Sequence, residues 1–198
     1  EEALETFPNY ALFWLYNGTA LLGTGQYEEA SGALDEGKRL SFSNKGLLKE
    51  FNARLGDAYN GLKQYEKSVG YYEEVLKEDP NHAYTLNNYS YFLALRKQNL
   101  NKAKKLAARL VKNNPNVATY LDTYGWILYI SKDYKSARKY LEKAIAKNPS
   151  GTILEHYGDV LFKLGDTTKA IEQWQQAKSK GGTSKLIDKK IADKKLYE

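Results

Sequence analysis

The chain has 198 residues, of which 42% are hydrophobic, and its 30 lysines and arginines against 24 acidic residues give a formal net charge of +6. It contains no cysteine, which excludes disulfides, thiolate metal sites and cysteine nucleophiles. Its longest apolar run, residues 10–16, is far shorter than the roughly 20 residues that a membrane-spanning helix needs.

Residues 1–10 are the first predicted element, the end of a helix from a preceding repeat. Pro8 stands in the same helix-stop register as Pro80, Pro115 and Pro149, of which the last three are spaced by 35 and 34 residues. A period of this length is typical of repeat proteins. We therefore expect further repeats upstream of the sequence.

Five helical hairpins follow, and two series of small residues mark them with a period near 34 residues. The members are Gly18, Gly56, Ser90, Gly125 and Gly158 in the first series and Ala30, Ser68, Ala103, Ala137 and Ala170 in the second. A turn separates the two small residues of each unit, and the apolar residues on either side have helical spacing. A small residue on the facing side of each helix allows close approach of the two backbones.

The predicted hairpins have the boundaries 11–45, 46–82, 83–116, 117–150 and 151–180. Their first helices are 11–23, 46–61, 83–96, 117–130 and 151–163, and their second helices are 27–39, 65–77, 100–112, 134–146 and 167–179. The turn at residues 96–100 is one residue longer than the others and lacks glycine, which leaves the angle of that hairpin open.

The last predicted element, residues 181–198, is a capping helix. Ser184 is placed at its N-cap, and its apolar residues are Leu186, Ile187, Ile191 and Leu196. Lysines occupy the opposite side, at Lys185, Lys189, Lys190, Lys194 and Lys195. A stack of hairpins needs such a helix to seal its open end with a polar outer surface. The alternative is a basic amphipathic helix that binds a membrane or a calmodulin-like partner.

This pattern resembles the tetratricopeptide repeat over residues 11–180. The first unit carries it at Trp14, Gly18, Gly25, Tyr27 and Ala30, and the fourth at Leu121, Tyr124, Gly125, Tyr134, Ala137, Ala144 and Pro149. The stretches LNNYSYFLA, LDTYGWILY, ILEHYGD and IADKKLYE resemble the C-terminal part of bacterial multi-repeat proteins of this family. The resemblance implies an all-α, right-handed superhelix, and a scaffold with many uses. It also implies an exported or membrane-anchored location through an N-terminal region, the alternative being cytoplasmic.

In this family the first helices line a concave groove, and the resemblance carries that role to fifteen residues here. They are Arg54, Asp57, Asn60, Tyr84, Asn87, Asn88, Tyr91, Asp122, Thr123, Trp126, Tyr129, Glu155, His156, Asp159 and Phe162. Asparagines can hold a peptide backbone and aromatic residues supply contact area. For Trp126 and Phe162, packing between repeats is an equal alternative. The acids in this set disfavour a receptor for acidic chaperone tails.

A local cluster of Glu155, His156 and Asp159 is the nearest approach to a catalytic or metal site. Spacings of three and four residues place the three side chains on one face of a helix. With two histidines in the chain and no second-helix ligand identifiable, a solvated polar face is favoured over a metal site. We expect no metal, no cofactor and no enzymatic activity.

The positive charge is concentrated in residues 96–147, which hold 13 basic and 3 acidic residues. Most of the excess falls on the second helices at Lys102, Lys104, Lys105, Arg109, Lys112, Lys135, Arg138, Lys139, Lys143 and Lys147. A solvated outer wall is favoured over a surface that binds RNA or another anion. Nucleic-acid binding is further disfavoured because the aromatic residues occupy core registers instead of standing exposed among the lysines.

The sequence therefore predicts a non-enzymatic scaffold that binds a protein or peptide partner, with no specific nucleic acid. Because Asp122, Glu155 and Asp159 fall on first helices, the predicted ligand is an extended basic segment in the groove of units three to five. The alternatives are an assembly subunit that uses the convex basic face or the open N-terminal edge, and a metal-binding accessory domain centred on His156. The partner and the oligomeric state are left open.

Overall fold

The structure, a computed structural model, describes residues 2–197 and the side chains of residues 4–197. Over this range the chain forms twelve α-helices and no strand. They are α1 (Glu2–Thr6), α2 (Ala11–Thr24), α3 (Tyr27–Leu40), α4 (Lys45–Gly61), α5 (Tyr65–Glu78), α6 (Ala83–Leu95), α7 (Leu100–Asn113), α8 (Ala118–Ile130), α9 (Tyr134–Lys147), α10 (Gly151–Lys163), α11 (Thr167–Lys180) and α12 (Ile187–Asp193). None of them combines the length and the apolar character that a bilayer-crossing helix requires.

Helices α2 to α11 begin and end within one residue of the bounds predicted from the sequence. The predicted end of a preceding helix corresponds to α1, except that Glu1 lies outside the described residues, as does Glu198 in the predicted cap. The grouping of these helices into repeats with the stated boundaries stays a prediction.

The small residues of the first helices lie directly beneath large side chains of the second helices. A methyl group on Gly125 would lie 2.8 Å from Leu141 Cγ, and one on Gly158 would lie 2.5 Å from Trp174 Nε1. Gly56 is covered in the same way by the Tyr72 ring. Because these distances are shorter than van der Waals contact, a larger residue would push the two helices of a hairpin apart.

Each hairpin turn contains a residue in the left-handed region. Gly25 and Gly165 have φ of 78° and 89°, and Lys63 and Lys132 have 61° and 63°. The longer third turn contains two such residues, Lys97 at 53° and Asn99 at 43°. Asn99 also accepts a hydrogen bond from the Lys102 N–H and so caps α7. The third turn therefore accommodates its extra residue with a second residue in the left-handed region, Asn99, which also caps α7.

Contacts divide the chain into two compact units, the first ending at Phe92 and the second beginning at Leu93. In the first unit, α2 packs on α3, α4 packs on α5, and α3 packs on α4. The apolar core that joins these helices consists of Leu15, Ala30, Leu34, Phe51, Leu55 and Ala58.

The second unit contains the hairpins α8–α9 and α10–α11, with α7 against α8, α9 against α10, and α12 against α11. One core cluster is centred on Leu121, Leu141 and Ile153, and another on Leu161 and Trp174. Successive hairpins therefore share apolar residues within the unit, as the repeat pattern requires.

The C-terminal helix differs from its prediction in length, cap and exposure. It has seven residues, and Leu186 occupies the N-cap position that was predicted for Ser184. Lys190, which was predicted to face solvent, is only 3% exposed. Ile187 and Ile191 pack into the cluster of Trp174, which is the packing that a capping helix requires. The error at Lys190 has a physical cause, because its charge is neutralised by buried carboxylates of α10.

Candidate functional site

The fifteen residues predicted to contact a partner all lie on the first helices α4, α6, α8 and α10. The first unit holds Arg54, Asp57, Asn60, Tyr84, Asn87, Asn88 and Tyr91. The second holds Asp122, Thr123, Trp126, Tyr129, Glu155, His156, Asp159 and Phe162. The structure separates this set into side chains that are bonded inside a unit and a few that line open space.

Asp57 is the centre of a hydrogen-bond network in the first unit. Tyr72 Oη donates to Asp57 Oδ1 at 2.5 Å, Tyr84 Oη donates to Oδ2, and Asn88 Nδ2 donates to both oxygens at 3.1 Å. Burial raises the pKa of Asp57 above its usual range, although the hydrogen bonds from these donors oppose the shift. The carboxylate therefore links α4 to α5 and α6 and is not a free groove charge.

Arg54 lies beside this network, and two of its guanidinium nitrogens lack a hydrogen-bond acceptor. Its guanidinium carbon is 3.5 Å from the centroid of the Tyr84 ring, a cation–π contact. Glu50 is 3.7 Å away, too far for a hydrogen bond, and Arg54 Nε and Nη1 are buried without a hydrogen-bond partner. The stacking holds Tyr84 in place while the guanidinium stays poorly satisfied.

A cleft of about 340 Å³ opens in the first unit beside Asp57. It is lined by Thr19, Leu22, Gly23, Tyr27, Asp57, Asn60, Gly61, Tyr84 and Phe92. Three of these, Asp57, Asn60 and Tyr84, are among the predicted residues. The α2 side of the cleft was missed because the predicted set was carried over from the family only for α4 onward, and Tyr27, Gly61 and Phe92 were not among the positions carried over.

The other predicted residues of the first unit lie on α6. Asn87 Nδ2 donates to Asn88 Oδ1 at 2.9 Å, while Asn87 Oδ1 is buried without a hydrogen-bond partner. Tyr91 is half-buried, with its ring centroid 5.7 Å from that of Phe92. Neither residue is part of the cleft lining.

In the second unit, Trp126 is stacked between two other rings. Its ring centroid lies 4.7 Å from that of Tyr129 and 4.1 Å from that of His156, with interplanar angles of 13° and 18°. His156 Nδ1 is 2.8 Å from Asp122 Oδ1. These contacts join α8 to α10, so the half-buried indole packs between two first helices.

Two more predicted residues of the second unit are engaged in local packing. Thr123 is buried, and its hydroxyl donates to the Thr119 carbonyl at 3.0 Å. Phe162 is half-buried with its ring 5.7 Å from that of Trp174. Neither side chain faces an identified cleft.

His156 is held in a strongly acidic environment. Burial lowers its pKa, but the charge of Asp122 and the hydrogen bond to it, together with the charges of Asp159 and Glu155, outweigh burial, and the net shift is upward. The protonated imidazole is therefore the form that the folded state favours.

We expect the stability that His156 contributes to decrease as the pH rises. Its folded pKa exceeds its unfolded value of about 6.5, so the contribution is complete below that pH and is lost as the pH rises through the folded pKa. Thermal melts of the wild type and of His156→Gln across this range measure the effect. Their difference should shrink with rising pH; a constant difference would contradict the assignment.

Glu155 and Asp159 are buried together with Lys190 of α12. Lys190 Nζ donates to Glu155 Oε1 and to both oxygens of Asp159, each at 2.8 Å. Trp174 Nε1 donates to Asp159 at 2.9 Å, and the Ser184 N–H donates to Glu155 at 2.7 Å. The prediction of a solvated polar face at this position is therefore wrong, because both carboxylates are bonded within the unit.

Burial raises the pKa of Asp159 above its usual value, although the charge and hydrogen bond of Lys190 oppose the shift. At Glu155 burial is also the largest influence, but the hydrogen bonds from Lys190 and Ser184 together outweigh it and lower the pKa. The lysine thus neutralises a site in which two carboxylates would otherwise repel each other.

The same spacing positions the partners of both aspartates. Asp57 and Asp159 each follow the small glycine of their helix, and each accepts a hydrogen bond from an aromatic residue 15 positions later, Tyr72 or Trp174. Each also accepts one from a residue 31 positions later, Asn88 or Lys190. This shared register is visible in the sequence, and the structure shows that it places Asn88 and Lys190 at equivalent positions beside the two aspartates.

Among the side chains of residues 4–197, no group of three or more histidine or acidic residues has the arrangement of a metal site. His156 is directed to Asp122, while Glu155 and Asp159 are bonded to Lys190. The local cluster noted in the sequence is thus divided between two different sets of partners.

Comparison with known families identifies the repeat. One tetratricopeptide-repeat model matches residues 93–152 and 125–180, and a second matches residues 50–82, which together include more than half of the chain. The chain belongs to the tetratricopeptide-repeat family. The resemblance read from the sequence is confirmed.

Solved tetratricopeptide-repeat structures have the same fold. PilF of Pseudomonas aeruginosa is 19% identical with a TM-score of 0.77, and the match covers 93% of this chain and 83% of PilF. A thermophilic tetratricopeptide-repeat protein of Thermus thermophilus is 15% identical with a TM-score of 0.77, and the match covers 93% of this chain and 98% of that protein. PilW, described as a type IV pilus biogenesis factor, is 15% identical with a TM-score of 0.78, and the match covers 93% of this chain and 85% of PilW. No curated protein sequence matches the chain.

The predicted fold class, an all-α tetratricopeptide solenoid, is confirmed by these matches. At such low identities the likeness shows the fold alone. The tetratricopeptide fold indicates a protein–protein interaction scaffold and is in general non-enzymatic. Protein partners are thus the class of ligand that the family supports.

Proposed function

We propose that this protein is a non-enzymatic scaffold that binds a segment of a partner protein in the cleft of the first unit. The observation that carries the proposal is the cleft itself, whose volume of about 340 Å³ is at the low end of the roughly 300–1,000 Å³ of small-molecule pockets and can hold a side chain of a partner. Apart from Tyr27 of α3, its lining residues come from the first helices α2, α4 and α6, the elements that this family uses for binding.

The lining of the cleft suits an apolar side chain of an extended segment. Leu22, Tyr27, Tyr84 and Phe92 supply apolar surface, and Thr19 supplies a hydroxyl at the side. Tyr84 is fixed by the Arg54 guanidinium and by Asp57, so this wall is preorganised. Preorganised aromatic walls lower the entropic cost of binding.

The first-helix residues of the second unit support binding less well. Trp126 is stacked between Tyr129 and His156, and Glu155 and Asp159 are bonded to Lys190. The expectation of a basic ligand was based in part on these two carboxylates. Because both are paired with Lys190, they give that expectation no support. The basic charge of the ligand therefore stays a prediction outside this proposal.

The metal-binding alternative has no support from the geometry. The oxygens of Glu155 and Asp159 accept hydrogen bonds from an ammonium group, which occupies the position that a cation would need. We therefore propose a protein-binding scaffold and not the metal-binding accessory domain centred on His156.

Filling the cleft at Gly23 is expected to abolish binding without harming the fold. Gly23 lines the cleft on helix α2, and a β-carbon there meets no atom within 4 Å. The variant Gly23→Leu gains helix propensity of up to about 1 kcal/mol and places an isobutyl group in the cleft. Peptides selected on the wild-type protein from a displayed random library should bind this variant at least about tenfold more weakly.

Gly70→Leu is the matched control. Gly70 also lies in a helix, and a β-carbon added there would meet nothing within 4 Å, but the residue does not line the cleft. Affinity should be unchanged in this variant, and both variants should melt at or above the wild-type temperature. Equal affinity of the selected peptides for Gly23→Leu and wild type would show that the partner binds elsewhere.

A further inference from the structure

Helices α7 and α9 carry more positive charge than the acidic residues of the same stretch can balance. Residues 96–147 contain three acidic residues against 13 basic ones, and each of the three has a partner of its own. Asp122 bonds His156, Asp133 caps α9 by accepting from the Ser136 N–H, and Glu142 pairs with Arg138. Lys112 of α7 and Lys143 of α9 pair with none of these three carboxylates and stay available to an external negative charge.

A second cleft, of about 180 Å³, lies within this basic surface. Val111 and Leu121 form a buried apolar floor, and the half-buried rings of Tyr124 and Tyr140 form one side. Lys112 of α7 and Lys143 of α9 also line the cleft, and both are exposed.

Neither of the two lysines is in an ion pair with any described residue. Lys143 Nζ lies 5.5 Å from the centroid of the Tyr140 ring. The cleft thus combines an apolar floor with two lysines whose charges are not paired with a carboxylate of the described residues. This combination favours a ligand that is both acidic and apolar.

We infer that this cleft binds an acidic segment of a protein that inserts one aliphatic side chain between Lys112 and Lys143. The cleft is smaller than the roughly 300–1,000 Å³ of small-molecule sites, and it suits a single side chain. Acidic residues on either side of that side chain meet the two lysines. The surface is separate from the cleft of the first unit, so this inference does not depend on the proposed function.

Nucleic acid is a poorer match to the cleft than an acidic protein segment. Single-stranded nucleic acid binds by stacking bases on open aromatic faces. Here the Tyr124 and Tyr140 rings pack edge-to-face on each other, with centroids 4.5 Å apart at 66°. The contact of the two rings favours a narrow aliphatic group over a flat base.

The test uses a fluorescein-labelled heptapeptide with a central leucine and three acidic residues on each side. Its affinity for the whole chain is measured by fluorescence anisotropy at moderate salt. Reversing both charges in Lys112→Glu with Lys143→Glu should weaken binding by at least about tenfold. Replacing the leucine of the peptide by glycine should weaken binding to the wild type by about tenfold or more.

The control is Lys105→Glu with Lys135→Glu, which changes one exposed lysine on each helix outside the cleft. It imposes the same change of net charge and should weaken binding by less than about threefold. Equal loss in both double variants, or equal binding of the glycine peptide, would overturn the inference in favour of diffuse electrostatic attraction. Tighter binding of single-stranded RNA or of phosphatidylserine vesicles, lost in the same cleft variant, would also overturn it.

Discussion

Replacing Lys190 with methionine is expected to destabilise the C-terminal hairpin by about 3–5 kcal/mol. Glu155 and Asp159 are 4% and 3% exposed, and Lys190 is the cation bonded to both. Without the ammonium group two adjacent carboxylates stay buried with no counter-charge. Chemical denaturation followed by tryptophan fluorescence measures the loss, because Trp174 donates to Asp159 and lies in the same cluster.

The matched control is Lys185→Met, which removes an exposed lysine just before the same helix and should change stability by less than about 0.5 kcal/mol. At acidic pH the difference in unfolding free energy between Lys190→Met and wild type should become smaller, because protonation of the two carboxylates removes the uncompensated charge. Hydrogen exchange should show lost protection first in α10 to α12, since coupling in repeat proteins is between neighbours. A variant as stable as wild type at neutral pH would contradict the role given to Lys190.

The second large effect is expected for Asp57→Leu in the first unit, with a loss of about 3 kcal/mol. The buried hydroxyl of Tyr72 and the donors of Tyr84 and Asn88 would lose their acceptor, and each unsatisfied buried group costs about 1–3 kcal/mol. If Asp57 were a solvated groove charge, the same change would be nearly neutral. Denaturation followed by circular dichroism, with local hydrogen exchange in α4 to α6, distinguishes the two.

A double-mutant cycle with Tyr72→Phe isolates the bond between the two side chains. Removing the hydroxyl should cost about 1 kcal/mol or more in the wild type and much less in the Asp57→Leu background, where its acceptor is already gone. Additive losses would mean that Tyr72 and Asp57 do not interact as described.

The repeat pattern alone was enough to predict helices α2 to α11. Spacings of small residues such as Gly125 and Gly158 are local, and their steric meaning does not depend on distant parts of the chain. A residue beneath Leu141 or Trp174 must be small wherever that hairpin lies. For this reason the bounds of α2 to α11 were predictable within one residue.

The exposure of charged residues was not predictable in the same way. The local helix pattern predicts an exposed position for each of Glu155, Asp159 and Lys190. Burial of a charge depends on whether an opposite charge reaches it, and Lys190 does so from 31 residues away. The spacing shared with Asp57 and Asn88 is a signal in the sequence, but its meaning appears only after the helices are packed.

The clefts were decided by the tertiary structure alone. The cleft beside Asp57 draws on Thr19 of α2 and Phe92 of α6, and the one at Lys112 draws on three helices of the second unit. Helical periodicity reports which side of a helix is apolar, but not which gaps remain when several helices meet. Local sequence therefore determined the elements, while the packing of side chains from separate helices determined which carboxylates are neutralised and which surfaces stay open.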